Sequence, residues 1–405
     1  MVAAKLLGGF HSALISLVAM RRMEAGEFGA FAFGVVAITV VDGVVGSAVD
    51  LGVLKRISES KAEPAAATVE YAGLAGKVLI GSLLLLAAIL VGAPLAQAIL
   101  QRESRFYFPV VAAAVLSLFL FRSQQIYHQG RHENRRFAAI EALQVILRCA
   151  LVFGYLAASS PSPEVALSLF AVSPPLVLLV SRAWSFGIAP WRHVAIADLQ
   201  DLGRFVRGSL LATATGAAAS RIDIAFVGRL TSPAMLGRYS AAQTLAQIPE
   251  IAATYLSNIL APSINPRLRD GTFLTWFRKI TAAGAAACLM AGALGIPLMD
   301  WAVRGFLPEK AHAAIGLAEV LVAGYLVSAL LFPVTLNLLL FHQPATFVRY
   351  DLFTVPFLLV GYYWAGVTFG AYGIAWVSVA ARVLKTVTMH AIAFSVAGRI
   401  QSAAE

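Results

Sequence analysis

The sequence predicts an all-α, polytopic membrane protein with about twelve transmembrane helices in two parallel six-helix lobes around a central cavity. The prediction rests on composition, on long apolar runs and on an internal repeat. Hydrophobic residues make up 59% of the 405 residues and charged residues only 13%, about half the usual soluble fraction. Because a helix satisfies its own backbone hydrogen bonds, each run of roughly 20 apolar residues predicts one membrane span.

The apolar runs divide evenly between the two halves of the chain. In the first half, spans are predicted near residues 2–20, 28–49, 78–99, 106–127, 138–158 and 165–181. In the second half, spans are predicted near residues 205–227, 236–259, 280–303, 313–341, 351–369 and 372–394. We therefore predict an N-terminal lobe at 1–183, a cytoplasmic linker at 184–204 and a C-terminal lobe at 205–405.

A short motif occurs once in each half. Glu27-Phe28-Gly29-Ala30-Phe31 returns as Met235-Leu236-Gly237-Arg238-Tyr239, an offset of 208 residues. Eleven residues after each motif stands an acid, Asp42 in the first copy and Glu250 in the second. Because each half contains an even number of predicted spans, the repeats should lie parallel, related by an axis along the membrane normal.

The distribution of Lys and Arg predicts the orientation. With the N-terminus in the cytoplasm, eighteen Lys and Arg residues fall in inner loops or linkers and seven in outer loops. Basic loops stay cytoplasmic, so both termini are predicted to be cytoplasmic. The formal net charge of +10 is then an orientation signal, and nucleic acid is not an expected partner. The first apolar segment lacks a cleavage site and is interpreted as a retained helix.

The chain shows no pattern typical of an enzyme. Gly73 to Lys77 has the wrong spacing for a phosphate-binding loop, and Val78 follows where Ser or Thr is needed. Cys149 and Cys288 lie in separate apolar runs without metal-type spacing. The predicted outer loops are too short to build a catalytic surface. We predict no catalytic residue, metal or cofactor.

Four basic residues within spans are the candidate substrate-binding residues: Arg148, Arg221, Arg382 and Lys385. An ionised group in the bilayer costs several kcal/mol unless it faces a partner or water. Arg382 and Lys385 are three residues apart, and hence on one helical face. This pattern predicts a cationic cavity that binds an anion. Lys77, near a span end, is interpreted as a lysine that reaches cytoplasmic water.

Three acids within spans have two interpretations. Asp42 and Glu250 occupy matching repeat positions, with the helix-disturbing Pro249 beside the second. These acids either bind a coupling ion or form interhelical pairs that stabilise the bundle. Asp223 is also a candidate for coupling or substrate contact. It is rotated about 200° from Arg221 along a helix, so the two should not pair with each other.

Two segments carry a resemblance to a known family. Met20 to Phe31 resembles the "R-x-LG-P-x-E-F-G-x-Y/F" segment of polysaccharide-export flippases, with Met23 and Ala25 where Leu and Pro are usual. Arg221 to Ala242 is similar to the second-half counterpart. The chain thus resembles the O-antigen and lipid-linked oligosaccharide flippases of the multidrug, oligosaccharidyl-lipid and polysaccharide exporter superfamily. Twelve spans resemble the O-antigen type more than the fourteen-span peptidoglycan-precursor flippases.

The resemblance implies flipping of undecaprenyl-pyrophosphate-linked oligosaccharide across the bacterial inner membrane by alternating access. This flipping would serve the export of a surface polysaccharide, such as the O-antigen of lipopolysaccharide. The implied partners are the lipid-linked oligosaccharide, membrane lipid, H+ or Na+, and the polysaccharide polymerase machinery. On this interpretation the four basic residues attract the pyrophosphate, while Asp42, Asp223 and Glu250 couple ions or contact the glycan.

Three other functions stay open on the sequence. An ion-coupled multidrug antiporter of the same superfamily would prefer organic cations, and the surplus of basic residues within spans disfavours it. A membrane glycosyltransferase or polymerase is disfavoured by the short outer loops. A non-catalytic scaffold is compatible with the sequence.

Overall fold

The computed structural model describes most of the chain, and the helices fill the described ranges. These ranges are residues 2–50, 52–53, 63–130, 133–158, 161–180, 196–260, 263–306, 309–330, 332–343 and 345–402. Within them the secondary structure is helical, with short turns between helices and no strand. The all-α prediction is confirmed. The predicted linker at 184–204 lies mostly outside the described residues.

The helices follow the predicted spans in order. The first six are α1 (Val2–Arg22), α2 (Ala25–Val41), α3 (Glu63–Leu100), α4 (Tyr107–Gly130), α5 (Asn134–Ala158) and α6 (Pro163–Val180). The middle of the chain forms α7 (Ile196–Leu230), α8 (Pro233–Ala246), α9 (Ile248–Leu260), α10 (Ile264–Arg269) and α11 (Phe273–Phe306). The last four are α12 (Glu309–His312), α13 (Ile315–Ala329), α14 (Asn337–His342) and α15 (Ala345–Ser402). Two π-helical segments interrupt this pattern, at Asp42–Gly46 and Phe332–Leu336.

Several predicted spans are interrupted rather than straight. The eighth consists of α8 and α9, which meet at Gln247. The tenth consists of α13, the second π segment and α14. The eleventh and twelfth both lie in α15, where Gly370 has φ +62°. Only glycine adopts this conformation without strain, so a single residue separates two spans. Seven of the described helices are long and apolar enough to cross a membrane.

The helices α3, α11 and α15 present apolar side chains on the surface. Lipid tails are as apolar as leucine, so such faces are stable against the bilayer. Examples on the three helices are Leu83, Leu90, Leu294, Leu298, Phe353 and Val360.

Packing divides the chain into two compact units, residues 1–237 and 238–405. Helix α7, predicted as the first helix of the C-terminal lobe, packs in the first unit against α2, α3 and the first π segment. Val206 of α7 lies in one apolar cluster with Val49 and Ala72. The predicted lobe boundaries rest on the sequence repeat and stay a prediction.

The two glycines of the repeated motif meet in the first unit. A Cβ atom added to Gly29 would lie 2.6 Å from the backbone nitrogen of Gly237, and one added to Gly237 would overlap the carbonyl oxygen of Ala25. Small residues let membrane helices approach to backbone contact. The motif is therefore glycine in both copies because α2 and α8 cross at that point.

Replacing Gly237 with alanine should destabilise this crossing. The added methyl group meets rigid backbone, and overpacking of this kind costs about 1–3 kcal/mol. Thermal unfolding of the purified protein in detergent would show a lower midpoint. Gly154→Ala in α5 is the matched control, because its methyl group enters open space and should raise helix stability by up to about 1 kcal/mol. Equal midpoints for the two variants would contradict the assigned crossing.

Candidate functional site

The two repeat-related acids both stand where a helix is irregular. Asp42 begins the first π segment, and Glu250 lies in the first turn of α9, just after the break at Gln247 and beside Pro249. A π turn adds a residue to the helical turn, and proline removes a backbone hydrogen bond. Both irregularities are of the kind found at functional positions in helices. The sequence indicated only the second, through Pro249.

Asp42 is buried and faces a basic residue of another helix. Its Oδ2 lies 3.6 Å from Nε of Arg122 in α4. The same π segment receives a hydrogen bond from α7, in which Thr213 Oγ1 donates to the carbonyl oxygen of Val44 at 3.0 Å. Asp42 thus lies where three helical elements meet, in the arrangement expected for an interhelical pair.

Glu250 forms a shorter ion pair within the second unit. Nη1 of Arg382 lies 2.8 Å from Oε2 of Glu250, with side-chain exposures of 12% and 27%. The guanidinium also lies over the ring of Tyr325, 3.8 Å from its centroid. Cation–π contact of this kind adds to the stabilisation of a partly desolvated arginine. Arg382 is therefore held by a carboxylate and an aromatic ring together.

Lys385, one turn further along α15, has a carboxylate partner of its own. Its Nζ lies 2.7 Å from Oδ1 of Asp351, which is buried in the first half of the same long helix. The rings of Phe347 and Tyr350 lie about 6 Å from the ammonium. The two basic residues predicted to form one anion-binding face are thus each paired inside the second unit. An incoming anion would have to compete with Glu250 and Asp351.

The direct contacts of Arg148 are with hydroxyl, imidazole, amide and aromatic side chains. Its Nε donates to Ser173 Oγ at 3.2 Å, and Nη1 lies 3.4 Å from Nε2 of His11. When the side-chain amide of Gln144 is oriented with its oxygen towards Arg148, that oxygen accepts a hydrogen bond from Nη2 of Arg148 at 2.7 Å. The guanidinium lies 4.7 Å from the ring centroid of Phe170. Among the described residues, these partners orient the arginine without forming an ion pair with it.

Arg221 and Asp223 lie on α7 within the first unit. Arg221 is half-buried and Asp223 is buried, with its Oδ1 accepting the backbone N–H of Ile224 at 2.9 Å. The seven candidate residues therefore fall into two sets. Asp42, Arg148, Arg221 and Asp223 belong to the first unit, and Glu250, Arg382 and Lys385 to the second.

Sequence reasoning missed a buried ion pair between α3 and the helical turn that follows the first π segment. Lys77 Nζ contacts Oδ1 of Asp50, and the lysine side chain is only 1% exposed. The interpretation of Lys77 as a side chain that reaches water was wrong, because Asp50 balances its charge within the protein. The only indication of this pair in the sequence was a lysine within an apolar run, because its partner Asp50 is 27 residues away.

A polar network lies at the C-terminal end of α4. Nδ1 of the buried His128 lies 2.8 Å from Oε2 of Glu133, which Arg136 approaches to 3.1 Å. Gln125 contacts Glu141 across α4 and α5. The hydrogen bond from His128 lowers the pKa of the Glu133 carboxyl, and the charge of Arg136 lowers it further. Adjacent Gln124 and Gln125 within an apolar run were the available sequence signal.

Comparison with solved structures identifies the fold. The fold is similar to an inward-facing multidrug resistance MATE family transporter of the MOP superfamily, with a TM-score of 0.70 and 12% identity over 97% of this chain and 96% of that one. It is equally similar to the lipid II flippase MurJ in an inward closed conformation, with a TM-score of 0.72 and 10% identity over 99% and 90% of the two chains. A Vibrio cholerae MATE transporter matches with a TM-score of 0.61 and 11% identity over 98% and 94%. The chain has a multi-span membrane transporter fold.

The family follows from the sequence. Residues 21–275, more than half of the chain, match the family model described as polysaccharide biosynthesis protein. The chain belongs to this family, which confirms the resemblance found in the repeated motif. Among curated proteins, none matches the sequence significantly.

Replacing Asp50 with asparagine should strongly destabilise the first unit. The substitution leaves the buried ammonium of Lys77 without a counter-charge, which costs about 3–5 kcal/mol. The double variant Asp50→Asn with Lys77→Met should recover much of this loss, and a double-mutant cycle of chemical unfolding would measure the coupling. A coupling free energy near zero would contradict the assigned pair.

Protonation of Glu133 should remove its contribution to stability. Its pKa is lower in the folded chain than the ordinary value of 4.5. The stabilisation is therefore complete above that value and is lost as pH falls through the folded pKa. Unfolding midpoints of the wild-type chain and of Glu133→Gln should differ at pH 6 and converge as the pH falls below the folded pKa of Glu133. The control repeats the comparison in a His128→Gln background, with and without Glu133→Gln. There the difference between the two unfolding midpoints should be smaller. A difference in midpoint that persists unchanged at acidic pH would contradict the assigned role of the Glu133 carboxylate.

Proposed function

We propose that this protein flips undecaprenyl-pyrophosphate-linked oligosaccharide from the cytoplasmic to the periplasmic face of the bacterial inner membrane. In support, the chain belongs to the polysaccharide biosynthesis protein family, and its fold is similar to that of a lipid II flippase. The exported product would be O-antigen or another surface polysaccharide, delivered to the polymerase machinery at the outer face. Both termini are proposed to be cytoplasmic.

The observation that carries the proposal is the environment of Arg148. A guanidinium in a membrane helix is stable only with a counter-charge, hydrogen bonds or water. Among the described residues, Ser173, His11 and Gln144 provide its direct hydrogen-bonding partners, while the carboxylates of Glu141 and Asp42 act on it only over a longer distance. A pyrophosphate is the type of anion for which arginine has the most suitable geometry. We propose that the substrate supplies an anion in direct contact with Arg148.

The paired basic residues of the second unit are proposed to act by exchange. The substrate anion would replace Glu250 at Arg382 and Asp351 at Lys385, with Arg221 adding to the attraction in the first unit. A carboxylate displaced from its basic partner then gains affinity for H+ or Na+. This exchange gives Glu250, and by analogy Asp42 and Asp223, a route to ion coupling.

Transport would proceed by alternating access between two six-helix lobes at 1–183 and 205–405, joined by residues 184–204. The repeated motif and its parallel arrangement are typical of transporters in which two lobes rock around one site. The glycan would lie in the wet cavity between the lobes while the lipid stays in the bilayer.

The antiporter of the same superfamily is the alternative. The solved structures do not distinguish it, because the MATE transporter and the flippase match almost equally well. The family match to a polysaccharide biosynthesis protein favours the flippase.

The experiment is reconstitution in vesicles with a fluorescent lipid-linked oligosaccharide. Flipping should proceed without ATP, and its dependence on proton or sodium gradients would identify the coupling ion. Arg148→Gln should slow flipping by about 10- to 100-fold, because hydrogen bonds to a charged group contribute about 1.5–3 kcal/mol. Arg148→Lys should have a smaller effect, since it keeps the charge but loses the planar contact with Phe170.

Arg304→Gln is the matched control, because Arg304 is exposed and pairs with Asp300 in its own helix. It should flip substrate at the wild-type rate. If the combined replacement of Arg148, Arg221, Arg382 and Lys385 by glutamine left the rate unchanged, the site assignment would be wrong.

A further inference from the structure

One direct contact of Arg148 is a group that can itself become charged, the imidazole of His11. Helix α1, which carries His11, packs mainly against α5, which carries Arg148. Nε2 of the half-buried His11 lies 3.4 Å from Nη1 of Arg148, and Nε of Arg148 donates to Ser173 of α6. Three helices of the first unit thus meet at one guanidinium. Histidine is the side chain whose charge ordinarily changes between about pH 5 and pH 8.

The contact with Arg148 assigns the protonation state of His11 in the structure. A guanidinium has only N–H donors, so Nη1 of Arg148 can be a hydrogen-bond partner of Nε2 only when that nitrogen carries no proton. His11 is therefore in the neutral form, with its proton on Nδ1. Protonation of Nε2 would place two cationic donors 3.4 Å apart, which is repulsive unless a negative charge lies between them.

An anion in contact with Arg148 reverses this preference. The two nitrogens are 3.4 Å apart, so one oxygen atom can lie about 2.8 Å from both, a normal length for a charge-assisted hydrogen bond. Ser173 and Gln144 already accept from Nε and Nη2 of Arg148, which leaves the N–H groups of Nη1 to the anion. Because the oxygen can only accept, Nε2 of His11 must then carry a proton.

Other titratable and charged groups surround this place. Those that act on Arg148 from the neighbouring elements are Glu141 and Cys149 of α5, Asp42 of the first π segment and Arg122 of α4. Each of the two acids has a polar partner of its own on α4. Helix α2 also packs against α1, and its Glu27 lies in the first turn, next to the C-terminal end of α1. Among the described residues, His11 is thus the titratable side chain in direct contact with Arg148.

We propose that His11 is a proton-binding residue that links proton uptake to anion binding at Arg148. The proposal rests on the proposed function, which supplies the anion. The proton comes from water and binds Nε2 of His11, while Nη1 of Arg148 moves its hydrogen bond from Nε2 to a phosphate oxygen. A pyrophosphate esterified at both ends carries one negative charge on each phosphate, which Arg148 and protonated His11 together balance. Each of the two ligands, proton and anion, then strengthens the binding of the other by the same factor.

The test is the pH dependence of anion binding by the full chain in lipid nanodiscs. The probe is a short-chain prenyl diphosphate sugar, whose esterified phosphates do not titrate between pH 6 and pH 8. Its Kd should rise about tenfold from pH 6 to pH 8, because His11 loses the proton with which it donates to the anion. Calorimetry at pH 7 in buffers of different ionisation enthalpy should show uptake of a fraction of a proton for each anion bound.

Two substitutions of His11 should have opposite effects. His11→Gln keeps an acceptor for Arg148 but takes up no proton, so its Kd should equal the wild-type value of pH 8 at both pH values. His11→Lys stays charged, so its Kd should remain near the wild-type value of pH 6. A wild-type Kd that does not change with pH, or a His11→Gln chain that keeps the wild-type change and proton uptake, would overturn the proposal.

Two control variants separate His11 from other titratable groups of the first unit. His128→Gln removes a buried histidine that pairs with Glu133, and Glu141→Gln removes the acid two turns before Arg148 on α5. Both variants should keep the wild-type change of Kd with pH. Loss of this change in Glu141→Gln, with its retention in His11→Gln, would assign the proton to the acid and refute the proposal.

The proposed function and the role of His11 fail separately. Flipping of lipid-linked oligosaccharide by a chain whose Kd is independent of pH would refute proton binding at His11 and leave the transport function intact. Proton-linked binding that depends on His11, without any flipping, would keep the linkage and refute the transport function.

Discussion

The structure depends on one constraint, that a charged side chain inside a membrane protein needs a partner. Lys77 with Asp50, Arg382 with Glu250 and Lys385 with Asp351 each meet it by pairing. Each pair joins segments that lie in different spans. Removing one partner of a buried pair is far more costly than never having the pair. These contacts therefore fix which helices are neighbours as well as neutralising charge.

Arg148 meets the same constraint in a different way. Its hydrogen-bond partners and the ring of Phe170 hold the guanidinium in place, and none of the described carboxylates forms an ion pair with it. On the proposed function, an anion binds Arg382 and Lys385 only by exchange with their carboxylates. Such competition would favour release of the anion, since each internal carboxylate lowers the free energy that release needs.

The repeat preserves local features but not their partners. In both copies an acid stands at an irregular point of its helix, and in both a glycine permits the crossing of α2 with α8. Yet Asp42 pairs with Arg122 of α4, whereas Glu250 pairs with Arg382 of α15. The two units are thus chemically distinct.

The sequence by itself determined that this is an all-helical membrane protein. It also determined the order of the membrane spans and the positions of the charged residues within them. These properties are local, because hydropathy and helix formation are decided within about 20 residues. Only the tertiary structure decided which charges pair, since Arg382 and Glu250 are 132 residues apart. It also decided the π segment at Asp42 and the contact of Gly29 with Gly237. Each of these depends on how distant helices pack, which no local pattern records.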